Sequence, residues 1–207
     1  MHIKSALKIP KIISIIGIYA SVYFSLGLQN IAEAQSTKPK DWLQPLVSHT
    51  QTTKEIVRQL KAKHYVKLTL DDALSERVFD RYLKNLDPQK YYLLQEDLNS
   101  FQELRHKLDN AIETGDLDPA FIIWNVYHQR LIARFEKIIT LLEHGITQFD
   151  FTKEEEIILD RRDHPWATSE AELDALWRKR IKDAALNLKL AEKNTDEIKE
   201  LLVKRYR

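Results

Sequence analysis

The sequence predicts an all-α fold, a single helical domain of about six helices. Glycine is rare, with four residues in 207, and two of the four lie in the first 30 positions. No stretch of useful length alternates apolar and polar side chains, and the hairpin dipeptides Asn-Gly and Asp-Gly do not occur. Instead, residues that favour helix N-termini repeatedly precede apolar side chains spaced three or four positions apart.

The first 34 residues have the composition of a signal peptide, and residues 12–28 of this leader carry no charge. Three lysines make its start positive: Lys4, Lys8 and Lys11. Ala32-Glu33-Ala34 has the small residues that signal peptidase reads, which predicts cleavage after Ala34 and export to the periplasm. As a helix the uncharged run would span roughly 25 Å of a ~30 Å hydrocarbon core. An uncleaved anchor is the alternative, and the leader would then be the contact with the membrane.

The helical domain is placed at residues 53–207, after a loosely ordered segment at 35–52 that contains Pro39 and Pro45. Thr53 is predicted to cap the first helix. A second helix is predicted to begin after Thr69, where Asp72 has capping-box spacing. It should end before Asp87-Pro88, because a residue that precedes proline is disfavoured in the α conformation.

The middle of the domain is predicted to contain a helix through residues 98–112 and then the longest helix of the chain. Gly115 should end the first of these in the left-handed conformation. Asp118-Pro119 combines a capping residue with proline at the first helical position, which favours a helix start. That helix is expected to run to His144, about 39 Å, and to stop at Gly145.

Two further helices are indicated by capping patterns. Thr152 with Glu155 predicts a short helix, and Ser169 with Glu172 predicts a full capping box that opens a longer one.

The last helix is predicted to begin at Asn194, with Glu197 completing its capping box. It carries an apolar stripe: Ile198, Leu201, Leu202 and Tyr206. No glycine or asparagine stops it before Arg207, which indicates that the last helix is truncated. A short helix of this kind needs a partner in water, so we expect it to fray or self-associate if its stripe is uncovered.

Charge and cysteine content exclude several functions. Without the leader, 173 residues carry 29 basic and 30 acidic side chains, a formal charge of −1. Such a balance gives no general attraction to nucleic acid or to anionic lipid. The chain has no cysteine, which excludes disulfides, thiol chemistry and cysteine-based metal sites. About 170 residues can bury roughly 70% of the surface of the unfolded chain, so one domain with an ordinary core is expected.

No catalytic, cofactor-binding or metal-binding residue is predicted. Residues 154–156 are three consecutive glutamates, which a peptidoglycan hydrolase could use, but at a helix N-terminus they are better explained by the helix dipole. Asp71-Asp72 is explained in the same way, by the favourable position of carboxylates at a helix N-terminus. The seven histidines include no HExxH motif and no pair at helical zinc-site spacing. None of the serines after the leader lies in a GxSxG turn: Ser36, Ser48, Ser75, Ser100 and Ser169.

Two segments resemble a known family. Residues 78–98 (VFDRYLKNLDPQKYYLLQEDL) are similar to a segment near the start of the tail-specific, or carboxy-terminal processing, proteases, which are periplasmic S41-type serine peptidases with a Ser-Lys dyad. Residues 159–190 contain a DR-x-x-x-PW stretch, an EAELDALW helix start and an LNLKL end in the order of that family. The closing DEIKELLVKRYR resembles the helix that leads out of the family's N-terminal domain, so the similarity covers 53–207.

The resemblance implies an all-helical N-terminal domain that precedes a PDZ domain and the peptidase core. In that family the domain helps to form a bowl-shaped body, which holds substrates whose apolar C-termini the PDZ domain recognises. The nucleophilic serine and the general-base lysine lie downstream, and no position of this sequence matches them. The chain is therefore expected to be inactive alone.

Two classes of function remain open from the sequence. One is a scaffold or substrate-holding domain of a tail-specific protease, whose partners would be the missing PDZ and peptidase portion and protein substrates. The other is an independent periplasmic helical binding protein, or a peptidoglycan hydrolase, that reuses the domain. Neither requires a cofactor or nucleic acid.

Overall fold

Helices separated by short connections make up most of the chain in the computed structural model, which describes residues 42–63 and 69–207. The predicted leader, its cleavage site and residues 35–41 lie outside these ranges. Within them there are seven α-helices and no β-strand, which confirms the all-α fold class. The helices are α1 (Val47–Lys63), α2 (Asp72–Leu86), α3 (Gln95–Ser100), α4 (Leu108–Thr114), α5 (Asp118–Glu143), α6 (Glu170–Leu190) and α7 (Thr195–Tyr206). Leu43–Arg207 forms one compact unit.

Helix α1 begins at Val47, six residues before the predicted start, so residues 47–52 are helical rather than loose. The start is held by the side chain of His49, whose Nδ1 accepts the Leu46 N–H at 3.3 Å. Thr53 is therefore an interior residue, and its hydroxyl donates to the His49 carbonyl at 2.9 Å. A threonine hydroxyl can serve either at a helix cap or against the preceding turn, so Thr53 alone does not fix where the helix begins.

Helix α2 is capped by Asp71 rather than Thr69. The Asp71 carboxylate accepts the Leu74 N–H at 2.8 Å, and Asp72 is the first helical residue. The helix ends at Leu86, as the sequence Asp87-Pro88 predicted.

The predicted third helix is divided into α3, a short 3-10 turn at Gln102–Leu104, and α4. Ser75 of α2 contacts the chain between the 3-10 turn and α4, where its hydroxyl donates to the Arg105 carbonyl at 2.7 Å and accepts the Leu108 N–H at 2.9 Å. In a continuous helix, the Arg105 carbonyl and the Leu108 N–H would instead form hydrogen bonds with backbone groups of the same helix.

Gly115 ends α4 in the left-handed conformation, with φ of 71°, as predicted. A Cβ at this position would lie 2.9 Å from the carbonyl oxygen of Thr50 in α1. Glycine is therefore required both by the turn and by the close approach of the two helices.

Helix α5 has 26 residues and is the longest helix of the described chain, as predicted. The cap position is Leu117, so Asp118 and Pro119 occupy the first two helical positions instead of cap and first position. Gly145 follows the helix with φ of 88°, as expected for a stop.

The short helix predicted at Thr152 does not form, and residues 150–166 are irregular. The Thr152 N–H and hydroxyl both donate to Asp150, at 2.9 and 2.7 Å. The Glu155 carboxylate, which would have completed a capping box, instead contacts Arg178 and Lys182 of α6. Tertiary ion pairs therefore replace the local capping interaction.

Helix α6 begins at the predicted cap, and the Ser169 hydroxyl accepts the Glu172 N–H at 3.2 Å. The capping box is incomplete, because the Glu172 carboxylate accepts the Thr168 N–H at 2.8 Å and not that of Ser169. The capping box of α7 forms as predicted between Asn194 and Glu197.

The apolar stripe of α7 is covered. Ile198 and Leu202 are fully buried, and the Tyr206 ring lies 6.0 Å from that of Trp177. The condition for fraying or self-association, an uncovered stripe, is therefore not met at Ile198 and Leu202, while Leu201 is 43% exposed.

Candidate functional site

The three consecutive glutamates lie beside a cavity of about 250 Å³ between the irregular segment and α6. Both oxygens of the Glu155 carboxylate are engaged: one accepts from Arg178, and the other accepts from the Lys182 ammonium at 2.6 Å. The hydrogen bonds from Arg178 and Lys182 lower the pKa of Glu155 to about 2. A glycosidase acid needs a raised pKa, so this arrangement suits an ion pair and not proton donation. The interpretation by a helix dipole is also wrong, because no helix begins there.

The serines among the described residues have structural roles. Ser75 is fully buried between two backbone groups, Ser169 caps α6, and the Ser100 hydroxyl donates to the Asp97 carbonyl at 2.6 Å. The hydroxyls of Ser75, Ser100 and Ser169 bond to backbone groups, the Ser48 carbonyl accepts from the Thr52 hydroxyl at 2.8 Å, and Ser36 lies outside the described residues. Residues 42–63 and 69–207 contain no group of three or more histidines and carboxylates placed to hold a metal ion.

The structure instead joins the two segments that carry the family resemblance. The Arg161 N–H donates to the Gln89 side chain at 2.7 Å, and the Gln95 N–H donates to the Ala167 carbonyl at 2.8 Å. The Lys90 ammonium donates to the His164 carbonyl. We call this contact between residues 87–97 and 160–167 the junction.

Asp87 organises the first half of the junction. Its carboxylate is 1% exposed and accepts three consecutive backbone N–H groups: those of Tyr91 at 2.8 Å, Tyr92 at 2.9 Å and Leu93 at 3.0 Å. Burial raises the pKa of Asp87, and the hydrogen bonds from the backbone oppose that rise. Sequence reasoning treated Asp87 as the residue before a proline stop and missed this role, although aspartate followed by proline is typical of such side-chain-to-backbone turns.

The loop that Asp87 holds contributes to three groups of buried side chains. Tyr91 packs with Ile138, Trp177 and Leu202, in the core formed by α5, α6 and α7. Leu93 packs with the second core, which has these buried members: Phe79, Leu83, Leu98, Phe101, Leu108 and Ile123. Leu94 packs with Ala167 and Leu173 at the start of α6.

Helix α6 contacts the same loop through its aromatic and basic side chains. The Trp177 indole N–H donates to the Tyr91 carbonyl at 2.8 Å. The Arg180 guanidinium lies 4.0 Å from the centre of the Tyr91 ring and also donates to its hydroxyl. The Tyr91 ring is therefore fixed on both its face and its hydroxyl.

A second polar contact holds α5 against the start of α6. Arg130 donates to Asp97 and to Glu170, with closest distances of 2.9 and 2.8 Å. Arg134, one turn further along α5, is 4% exposed in its side chain and pairs with Glu170 and Asp174. Partial burial acts to raise the pKa of Glu170 and Asp174, but hydrogen bonds and positive charges outweigh it and lower both values. The hydrogen bond to Glu170 comes from Lys137, and those to Asp174 come from Arg134 and Lys137.

These features define a helical domain whose most buried polar groups hold irregular chain against helices. Residues 56–207 match the family model described as the tail specific protease N-terminal domain, and the chain belongs to that family. It is similar to the tail-specific protease of Haemophilus influenzae, with 36% identity over 191 residues. That match covers 91% of this chain and 27% of the relative, so the chain spans about a quarter of the length of that protein. None of the helices in the described ranges is long and apolar enough to cross a membrane.

Proposed function

We propose that this chain supplies the helical N-terminal part of a tail-specific protease, where it holds protein substrates near a peptidase core. The observation that carries the proposal is the family match over residues 56–207. The buried junction adds support, because the two segments that resemble the family contact each other directly. In this proposal the cleaving groups belong to a PDZ and peptidase portion, and the chain alone cuts no peptide bond.

We further propose that the protein works in the periplasm, because the leader has the charge and apolar pattern of an export signal. Cell fractionation would test this step. N-terminal sequencing of the exported product should begin at Gln35 if cleavage follows Ala34.

A chimera with the Haemophilus influenzae relative tests the main proposal. In it, this chain replaces the matching 191-residue region of that tail-specific protease. We expect the chimera to degrade a reporter protein with an apolar C-terminus faster than the same reporter with a polar C-terminus. The relative without that region, and this chain alone, should leave both reporters intact.

Full activity of the truncated relative towards the same reporter would contradict a substrate-holding role. Degradation by this chain alone, in a preparation free of contaminating proteases, would contradict the proposal that the cleaving groups belong to the PDZ and peptidase portion. Digestion of peptidoglycan by the chain would favour the alternative of an independent hydrolase, for which the low pKa of Glu155 gives no support.

A further inference from the structure

Asn125 of α5 holds the backbone of the segment that precedes α1, residues 42–46. Its Oδ1 accepts the Leu43 N–H at 2.9 Å, and its Nδ2 donates to the Leu43 carbonyl at 3.0 Å. Nδ2 also donates to the Phe121 carbonyl, one turn earlier in α5, at 2.8 Å. The amide therefore contacts both backbone groups of one residue, and these two bonds do not depend on which side chain residue 43 carries.

Asn125 lies on the face of α5 that is turned away from the core. At about 100° per residue, its side chain points about 160° away from that of Ile123 and about 180° away from that of Arg134. Both of those residues are buried against other helices. Asn125 is nevertheless only 3% exposed, and its hydrogen bonds outside α5 within the described ranges go to Leu43. The segment 42–46 therefore covers it.

Aromatic side chains lie on the same face of α5. The i, i+3, i+4 and i+7 spacing of one helix face joins four residues: Phe121, Trp124, Asn125 and His128. The Phe121 ring stacks on that of His49 with 6.2 Å between ring centres, and the Trp124 ring stacks on that of His128 at 4.6 Å. A buried amide beside aromatic rings suits an extended peptide, whose backbone can pair with the amide while its side chains lie on the rings.

The segment that covers this face is a poorly fitting occupant. The side chains of Leu43 and Leu46 remain 54 and 61% exposed. The Trp42 indole Nε1 is buried and finds no hydrogen-bond partner in residues 42–63 and 69–207, which costs free energy. Leu43 thus contacts α5 through its backbone more than through its side chain, and every extended polypeptide carries the same backbone groups.

We propose that Asn125 and the rings beside it form a binding site for an extended segment of another polypeptide, and that residues 42–46 occupy this site when no such segment is bound. The incoming segment replaces Leu43: one N–H donates to the Asn125 Oδ1, and the carbonyl of the same residue accepts from Nδ2. Its apolar side chains lie against Phe121 and Trp124.

The site recognises the interior of a chain and requires no free C-terminus, unlike the recognition expected of a PDZ domain. The inference rests on the proposed function, because it names the place where this domain would hold an unfolded protein substrate.

A peptide with the sequence of residues 42–47 (WLQPLV), acetylated and amidated, tests the site by titration into the full chain. Fluorescence anisotropy of the labelled peptide gives the affinity. A second peptide carries N-methyl-leucine at the position of Leu43 and therefore lacks the N–H. It should bind about fivefold or more weakly than the first, because the Asn125 Oδ1 is then buried without a donor.

Leu43→Pro opens the site without changing the residues of α5. Proline has no N–H, so the segment 42–46 loses its bond to Oδ1 and competes less well from within the chain. The peptide should therefore bind this variant about fivefold or more tightly than it binds the unmodified chain. Leu43→Ala is the matched control, because it keeps the N–H, and its affinity should equal that of the unmodified chain. Asn125→Ala should abolish binding, and slow amide exchange in α6 checks that this variant is folded.

Hydrogen exchange at the Leu43 amide follows the replacement of one occupant by the other. The amide should be protected in the unmodified chain, and saturation with the peptide should make it exchange freely. Reduced, carboxymethylated α-lactalbumin, an unfolded protein, should have the same effect. Native α-lactalbumin should leave the amide protected.

Equal affinities of the two peptides, or undiminished binding by Asn125→Ala, would overturn the proposal. So would a Leu43 amide that stays protected at saturation, or no binding to Leu43→Pro at millimolar concentrations of the peptide. Dimerisation of Leu43→Pro that Asn125→Ala removes would identify a second copy of this chain as the occupant, which also contradicts the proposal.

The chimera with the Haemophilus influenzae relative separates this inference from the proposed function. An active chimera whose rate of reporter degradation is unchanged by Asn125→Ala would overturn the site as the place of substrate holding and leave the proposed function standing. Peptide binding with the expected selectivity in a chain whose chimera is inactive would support the site and overturn the proposed function.

Discussion

Asp87 and Glu155 both hold irregular chain in place, but the partners of their carboxylates differ. Asp87 accepts neutral backbone N–H groups in a buried turn, and burial raises its pKa. Glu155 accepts from two cations, and those hydrogen bonds lower its pKa to about 2. Burial at Asp87 and the two cationic partners at Glu155, and not the residue type, therefore set the opposite directions of the two pKa shifts.

Replacement of Glu155 by glutamine should reduce stability in a pH-dependent way. The folded-state pKa lies near 2 and the ordinary value is 4.5, so the ionised form contributes stability above about pH 4.5. That contribution is lost as the pH falls towards 2. Denaturant unfolding of both proteins between pH 7 and pH 2 should show a lower midpoint for Glu155→Gln at pH 7 and converging midpoints at acid pH.

Glu154→Gln is the matched control for this prediction, because Glu154 is exposed and belongs to the same segment. Its midpoint should follow that of the unmodified chain at every pH. A constant difference between Glu155→Gln and the unmodified chain from pH 7 to pH 2 would argue against the ion pair as the cause.

At the scale of elements, the contact of α5 with the start of α6 depends on a buried cation. Arg134→Met should destabilise the fold by about 1 to 3 kcal/mol, because Glu170 and Asp174 lose a partner whose side chain is 4% exposed. Both carboxylates keep Lys137, which limits the loss. Urea unfolding measures the change.

Arg58→Met provides the comparison with an exposed pair. Arg58 and Glu55 form an ion pair within α1, and both side chains are more than half exposed. Its removal should leave the unfolding midpoint unchanged. Equal effects of the two substitutions would show that the buried position of Arg134 gives no added stability.

Helix α7 should behave as part of the core. Leu202→Ala should cost about 2 to 5 kcal/mol, since the side chain is fully buried, whereas Leu201→Ala should cost less than about 1 kcal/mol at a position that is 43% exposed. Amide hydrogen exchange through residues 198–203 should be as slow as in α6. Rapid exchange there, or equal effects of the two substitutions, would show that α7 is frayed and is not part of the core.

The sequence predicted the ends of helices better than their beginnings. Gly115, Gly145 and Pro88 act through their own backbone conformations, so their effects are local and all three were placed correctly. The starts of α1 and α2 differ from the predicted ones because several nearby residues could cap each helix, and Thr53 and Thr69 are not the residues that do so. The helix expected at Thr152 was lost because the side chain of its second capping residue pairs with distant cations.

At the scale of the whole molecule, the contacts that sequence reasoning missed join residues about 70 positions apart. The bonds from Arg161 to Gln89 and from Gln95 to Ala167 have no local signal in the chain. The family resemblance identified both segments but not their contact. Arg161 lies in the DR-x-x-x-PW stretch, and its burial, at 7% exposed, has no local signal either.

The loop held by Asp87 should make the three groups of core side chains unfold together, because Tyr91, Leu93 and Leu94 each belong to a different group. Asp87→Ala leaves three backbone N–H groups without their acceptor, which should cost about 3 kcal/mol or more. Native-state hydrogen exchange of the unmodified chain should give the same opening free energy for amides in α2 and in α6. In Asp87→Ala the two values should separate, since the loop no longer couples α2 to α6.

Asp163→Ala, at an exposed position beside the junction, should keep both the stability and the common opening free energy. Asp87→Asn retains one acceptor oxygen and should fall between the two variants. If Asp87→Ala lowered the opening free energies in α2 and α6 equally, the loop would contribute stability without coupling the cores. Separate opening energies in the unmodified chain would mean that the helices around Phe79 and those around Trp177 fold as independent units.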